Sequence, residues 1–293
     1  MKRPAALALA LLLPAPAFAH AGEAQGGWTP DLWVAAPLAA LALFYAIGAH
    51  RLWSRSGHGR AALRRQAALF GAGWMILAAA LLSPLYEAGR ASFTMHMIEH
   101  ELIMLPAALL LVASRPGGAM LWALPQGLRS ALGGAARGGR PLWRFLTDPV
   151  AATFVQLAAM FAWHAPALFD RALDHRGWHV AQHLSFVASA LLFWWAMAHG
   201  RSGRFGYGAA SLCLFLTSLA GGALGALMAL STSPWYSGYA ALGVTPAGLS
   251  PAEDQQLAGL IMWIPGGLFH AAAGLYFLWK WIRSSEAGHA FAE

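Results

Sequence analysis

Apolar runs long enough to cross a bilayer recur along the chain, and short stretches between them hold most of its arginines. A helix needs about 20 predominantly apolar residues to span the hydrocarbon core. Seven segments approach or exceed that length: 30–50, 67–86, 92–114, 149–170, 177–199, 206–230 and 253–282. The pattern predicts an all-α polytopic membrane protein, a seven-transmembrane helix bundle forming one domain over 20–293. The seventh run contains Pro265-Gly266-Gly267, which predicts a kink. In the sixth, Gly221 and Gly225 have the small-xxx-small spacing of close helix contact.

Composition agrees, with 58% hydrophobic residues, 11% charged residues and a mean hydropathy of +0.52. The net charge of +7 does not point to nucleic acid, because the basic residues punctuate the gaps instead of forming one patch. Arg51, Arg55, Arg60, Arg64 and Arg65 follow the first run, and Arg115, Arg129, Arg137, Arg140 and Arg144 follow the third. Arg201 and Arg204 follow the fifth, with Lys280 and Arg283 in the tail. The opposite gaps hold only Arg90, Arg171 and Arg176. The positive-inside rule then puts the N-terminus outside and the C-terminus in the cytoplasm. The longest inner connection, 115–148, holds a candidate interfacial helix in LWALPQGLRSAL. The outer connection, 231–250, carries Trp235, Tyr236 and Tyr239, which suit an aromatic belt. Residues 1–19 have a basic start at Lys2 and Arg3, an apolar stretch and Ala17-Phe18-Ala19, the pattern of a cleaved signal peptide. Cleavage there makes His20 an N-terminal residue whose amine and imidazole can chelate Cu(II). The single cysteine, Cys213, excludes an intrachain disulfide and any CxxC motif.

Against this apolar background five histidines stand out. His96 and His100 lie near the outer end of the third run, His164 near that of the fourth, and His179 and His183 near that of the fifth. Ionisable groups inside a bilayer are costly and are functional candidates by default. At 1.5 Å per residue, His96 and His100 lie about 6 Å and about 12 Å below the start of their run, one above the other on one helix face. Met104 continues that stripe and Met97 borders it. His179 and His183 repeat the i,i+4 pairing. In the seventh run Asp254 stands at the outer start, and Met262 lies two turns below. Asp254 is a candidate ligand, a support for a ligand, or a helix cap. Glu99 and Glu101 project away from each other, so only one is expected to face the histidine layer. His50, His58 and His199 fall at inner ends and His289 in the tail; His270, deeper in the seventh run, is a pathway residue or, the preferred reading, a packed one, and Met95, Met160 and Met228 are ordinary core.

Imidazole with thioether favours copper, above all Cu(I). Zinc suits imidazole and carboxylate equally well. Haem, held by two histidines from different helices, is a weaker alternative. HExxH is absent, because HMIEH places its glutamate at the wrong offset for a metalloprotease base. No phosphate-binding glycine loop or nucleophile arrangement appears, so the reading is a non-enzyme.

The stretches FTMHMIEHELIMLPAALLL, WHAPALFDRAL, WHVAQHLSFVASALLFWW and DQQLAGLIMWIPGGL, in that order, resemble the CtaG family of multi-span assembly proteins for caa-type cytochrome c oxidase. The resemblance runs over 30–283. It implies a plasma-membrane protein that works with oxidase subunits, at their copper centres, and it marks His96, His100, His164, His179, His183, Asp254 and Met262 as the metal-handling positions. Binding copper from the outer side and delivering it to the oxidase is therefore the leading expectation. A copper transporter, a haem-binding electron-transfer protein and a structural scaffold are the rivals.

Overall fold

The computed structural model describes residues 32–200 and 206–290, and every regular element among them is a helix. The signal-peptide reading and His20 lie outside the described residues. In chain order the helices are α1 (Leu32–Arg55), α2 (Arg60–Leu82), α3 (Pro84–Ala91), α4 (Phe93–Leu102), a π-helical turn (Ile103–Ala107) and α5 (Ala108–Ala113). The chain continues through α6 (Pro116–Ala123), α7 (Gln126–Gly138), α8 (Arg140–Leu146), α9 (Pro149–His164) and α10 (Pro166–Asp174). It ends with α11 (Arg176–His199), α12 (Gly206–Leu230), α13 (Ser237–Leu242) and α14 (Pro251–Ala290). Six helical stretches are long and apolar enough to cross a membrane, and a seventh is obtained if α8 and α9, bent by 66°, count as one.

Proline chemistry explains where the boundaries differ from the apolar pattern. The second span stops at Leu82 rather than 86, because Ser83 is extended and Pro84 opens a new helix, with Ser83 Oγ accepting from the Leu85 N–H at 3.2 Å. The fourth does not run to 170. It breaks at extended Ala165, and Pro166 starts α10, leaving α9 with 16 residues. The expected kink at Pro265 is not a break, since α14 passes through it as one helix. An apolar bundle tolerates such prolines where neighbouring helices re-satisfy the backbone. At Pro106 the helix adjusts instead: one π turn absorbs the ring and the missing N–H, and the Trp194 indole donates to the Met104 carbonyl at 2.9 Å.

Helices α12 and α14 pack backbone to backbone. A Cβ on Gly225 would come within 2.7 Å of the Gly259 carbonyl oxygen, so glycine is required there. Gly221, its partner in the small-residue spacing, instead faces the side chains of Met160 and Met262. The 115–148 connection folds into α6, α7 and α8, and α13 lies within the 231–250 connection.

Candidate functional site

The site starts from how α4 is held. Asp254, at the start of α14, does not cap its own helix. Its carboxylate accepts from Ser92 Oγ (2.8 Å), the Phe93 N–H (2.6 Å) and the Thr94 N–H (3.2 Å), and Thr94 Oγ1 donates to its carbonyl at 2.9 Å. Asp254 thus satisfies open donors at the N-terminus of α4, where a negative charge is favourable. Both oxygens are engaged, so this residue positions the histidine helix and is not aimed at the rings.

From that anchored start His96 and His100 project as an edge-to-face pair with ring centroids 4.3 Å apart, and on α11 His179 and His183 do the same at 4.3 Å. The two pairs face each other. His96 lies 5.8 Å from His179 and 6.3 Å from His183 by centroid, and His100 lies 5.1 Å from His183. The closest approach is between the Nε2 atoms of His100 and His183, at 3.1 Å. Glu99 is buried beside them, with Oε1 at 3.5 Å from His183 Nε2, within ion-pair reach but without a hydrogen bond. Gly89 on α3 allows this crowding, because a side chain there would press on His96 and the Glu99 carboxylate.

Tyr239 of α13 sets the protonation of one ring. Its hydroxyl donates to the Gly89 carbonyl at 2.6 Å and lies 3.1 Å from His96 Nδ1. Burial, reinforced by the Asp254 charge, holds this phenol well above its ordinary pKa, so it stays protonated. With its only proton given to Gly89, the oxygen accepts from His96 Nδ1–H. The proton of the neutral His96 ring is then on Nδ1 and its lone pair on Nε2, an atom buried without a partner. His179 repeats the pattern, bonded to the Ala172 backbone with Nε2 unpartnered. Buried polar atoms are normally paired, and several open nitrogens in one place call for an explanation.

His164 stands to one side. Its ring packs on Phe169 and Phe186, the same rings that touch His96 and His100. His164 Nδ1 donates to the Met160 carbonyl at 2.7 Å, leaving Nε2 open, and Tyr236 donates to the His164 carbonyl at 3.1 Å. With His100 it lines a narrow cavity of about 50 Å³ between α4, α9, α12 and α14. Met97, Met104, Met160 and Met262 line the same cavity, as do Glu101 and His270. Met262 therefore shares a cavity with His164 and His100, one that His96, His179 and His183 do not line. Of the two glutamates, Glu99 faces the cluster and Glu101 the methionine cavity. Met160, which reads in the sequence as ordinary core, lines the cavity, as does His270, for which the sequence leaves packing or a pathway role open; His270 bonds the Gly266 carbonyl through Nδ1 at 2.9 Å with Nε2 unpartnered. In the sequence Tyr239 reads only as an interfacial aromatic, and nothing near it ties it to His96.

Among the described residues no group of three or more His, Cys, Asp or Glu side chains is already arranged to hold a metal ion. What stands ready is one close imidazole pair, His100 and His183, whose Nε2 atoms share a hydrogen bond, one ring donating to the other, with the open Nε2 atoms of His96 and His179 beside it. Such a set can recruit ligands one at a time. A family model for the cytochrome c oxidase caa3 assembly factor matches residues 43–284. Neither a curated protein nor a solved structure matches the chain.

Proposed function

The chain belongs to the cytochrome c oxidase caa3 assembly factor family, and from that membership we propose that it binds copper among His96, His100, His179 and His183 and passes it to an oxidase subunit. The His100–His183 contact carries this reading. Two imidazole nitrogens on one tetrahedral ion at about 2.0 Å stand about 3.3 Å apart, close to the 3.1 Å observed. His96 and His179 each offer an open Nε2 at the same place. The Tyr239 bond to His96 is the kind of outer contact that orients a ligating ring. Copper is cargo here, so a half-built site has a purpose: a donor must release what it binds, and ligands that engage singly allow stepwise exchange. By the arginine distribution, the histidine end faces the exterior of the plasma membrane.

The cavity of Met97, Met104, Met160 and Met262 favours Cu(I) over zinc, because thioether sulfur is a soft donor. The same cavity supports the transporter as a second reading, since His100 lines it while His96, His179 and His183 do not. Copper uptake into proteoliposomes separates the two: a donor leaves the lumen empty, and a transporter fills it. The test of donation is the double variant His100→Ala with His183→Ala. We expect full-length protein at normal level, with copper-dependent oxidase activity in cells reduced at least about tenfold, the scale on which losing metal ligands or their supports acts. Unchanged oxidase activity would exclude delivery through this pair.

A further inference from the structure

At the far end of the bundle from the four-histidine cluster, the end of α1 and the turn from α6 into α7 form a cleft of about 450 Å³. Its lining includes Arg51, Ser54, Arg55, Trp122, Gln126 and Arg129. Gly48 brings the two walls together, because any Cβ there would collide with the Ala119 carbonyl. Arg51 is fixed as part of the wall, its Nη1 donating to the carbonyls of Trp122 (3.2 Å) and Ala123 (2.8 Å). Arg55 and Arg129 lie against a single indole, with Cζ at 5.2 Å and 4.4 Å from the Trp122 ring centroid. The buried Arg129 Nε has no partner. Helix α7, 13 residues long, opens here at Pro125 with no side-chain cap, so its first-turn N–H groups add partial positive charge to the same wall.

Two guanidiniums on one ring repel, and the protein offers nothing nearby in sequence to neutralise them. No aspartate or glutamate occurs between residues 51 and 86, or between 115 and 147. Among the described residues no carboxylate pairs with Arg55 or Arg129, so the cleft is suited to an anion from outside. We propose that this cleft binds a phosphate group, carried by the headgroup of an anionic phospholipid. Arginine forks and open helix N–H groups are the donors that phosphate oxygens use. The lipid source is indicated by α7 itself: Leu128 and Leu132, one helical turn apart, are 55% and 48% exposed beside the cleft, an apolar edge for acyl chains.

The test uses the full chain in nanodiscs of phosphatidylcholine with or without phosphatidylglycerol, followed by native mass spectrometry of the lipid retained after release. Arg55→Gln with Arg129→Gln is compared with Arg137→Gln, on the same helix but outside the cleft lining. We expect the wild type to retain phosphatidylglycerol over phosphatidylcholine, the double variant to lose that preference about tenfold, and Arg137→Gln to keep it. Equal retention of the two lipids by the wild type would overturn the proposal without any variant, as would an equal loss in Arg137→Gln. A parallel arm titrates inorganic phosphate into the detergent-solubilised chain. Stabilisation by millimolar phosphate, abolished in the double variant and unaccompanied by a lipid preference, would assign the cleft to a free anion and overturn the lipid source.

Discussion

At the scale of single residues, the structure separates the clustered imidazoles from the groups that position them. Tyr239 is a positioning residue whose hydroxyl fixes the His96 tautomer. Tyr239→Phe should weaken Cu(I) binding about tenfold in a competition titration, with a loss of stability of about 1 kcal/mol. Asp254→Asn should do the reverse. It weakens the cap on α4 at a cost of about 1–2 kcal/mol in thermal unfolding, while copper bound at saturation is unchanged. If Asp254→Asn abolished copper binding in folded protein, the residue would be a ligand after all. Its neighbourhood in the sequence does not reveal this. An aspartate at the start of an apolar run reads as the cap of its own helix, and only the packing of α14 on α4 shows that it caps another.

At the scale of elements, periodicity and run length locate every long helix, because burial in lipid imposes one composition on them all. They do not locate the breaks, which depend on whether a proline's lost hydrogen bond is re-satisfied nearby. Pro84 and Pro166 end helices, whereas Pro265 does not. The π turn at Pro106 has the largest consequence for the site. One extra residue in a helix rotates the segment on its N-terminal side by about 100° relative to the segment on its C-terminal side, and here the N-terminal segment carries the His96–His100 face. Pro106→Ala removes the reason for the bulge. Reversion to a regular helix should leave helical content by circular dichroism within error of the wild type, yet reduce bound copper. Full copper retention in that variant would show that the face is set by the Asp254 anchor alone. The histidine pairs were legible because i,i+4 spacing survives any packing. The methionine cavity was not, because its lining comes from several helices and its members look like core residues one by one.

At the scale of the whole molecule, chemistry divides between two ends: the four-histidine cluster with Tyr239 and Asp254 at one, the arginine cleft and helix α7 at the other. The positive-inside rule predicts that the histidine end of this axis faces outside. In a Cys213→Ser background, Leu242→Cys and Leu132→Cys place exposed thiols at the two ends. An impermeant maleimide applied to intact cells should label the first and spare the second, and the opposite result would invert the topology. Family membership establishes the setting, oxidase assembly, and the geometry of His100 and His183 supplies the proposed chemistry. The most direct measurement is metal analysis with X-ray absorption on full-length protein purified from copper-replete membranes. The account predicts bound copper with nitrogen ligands at about 2.0 Å, lost in the His100→Ala, His183→Ala variant. A copper-free wild type, or equal copper in wild type and variant, would contradict it.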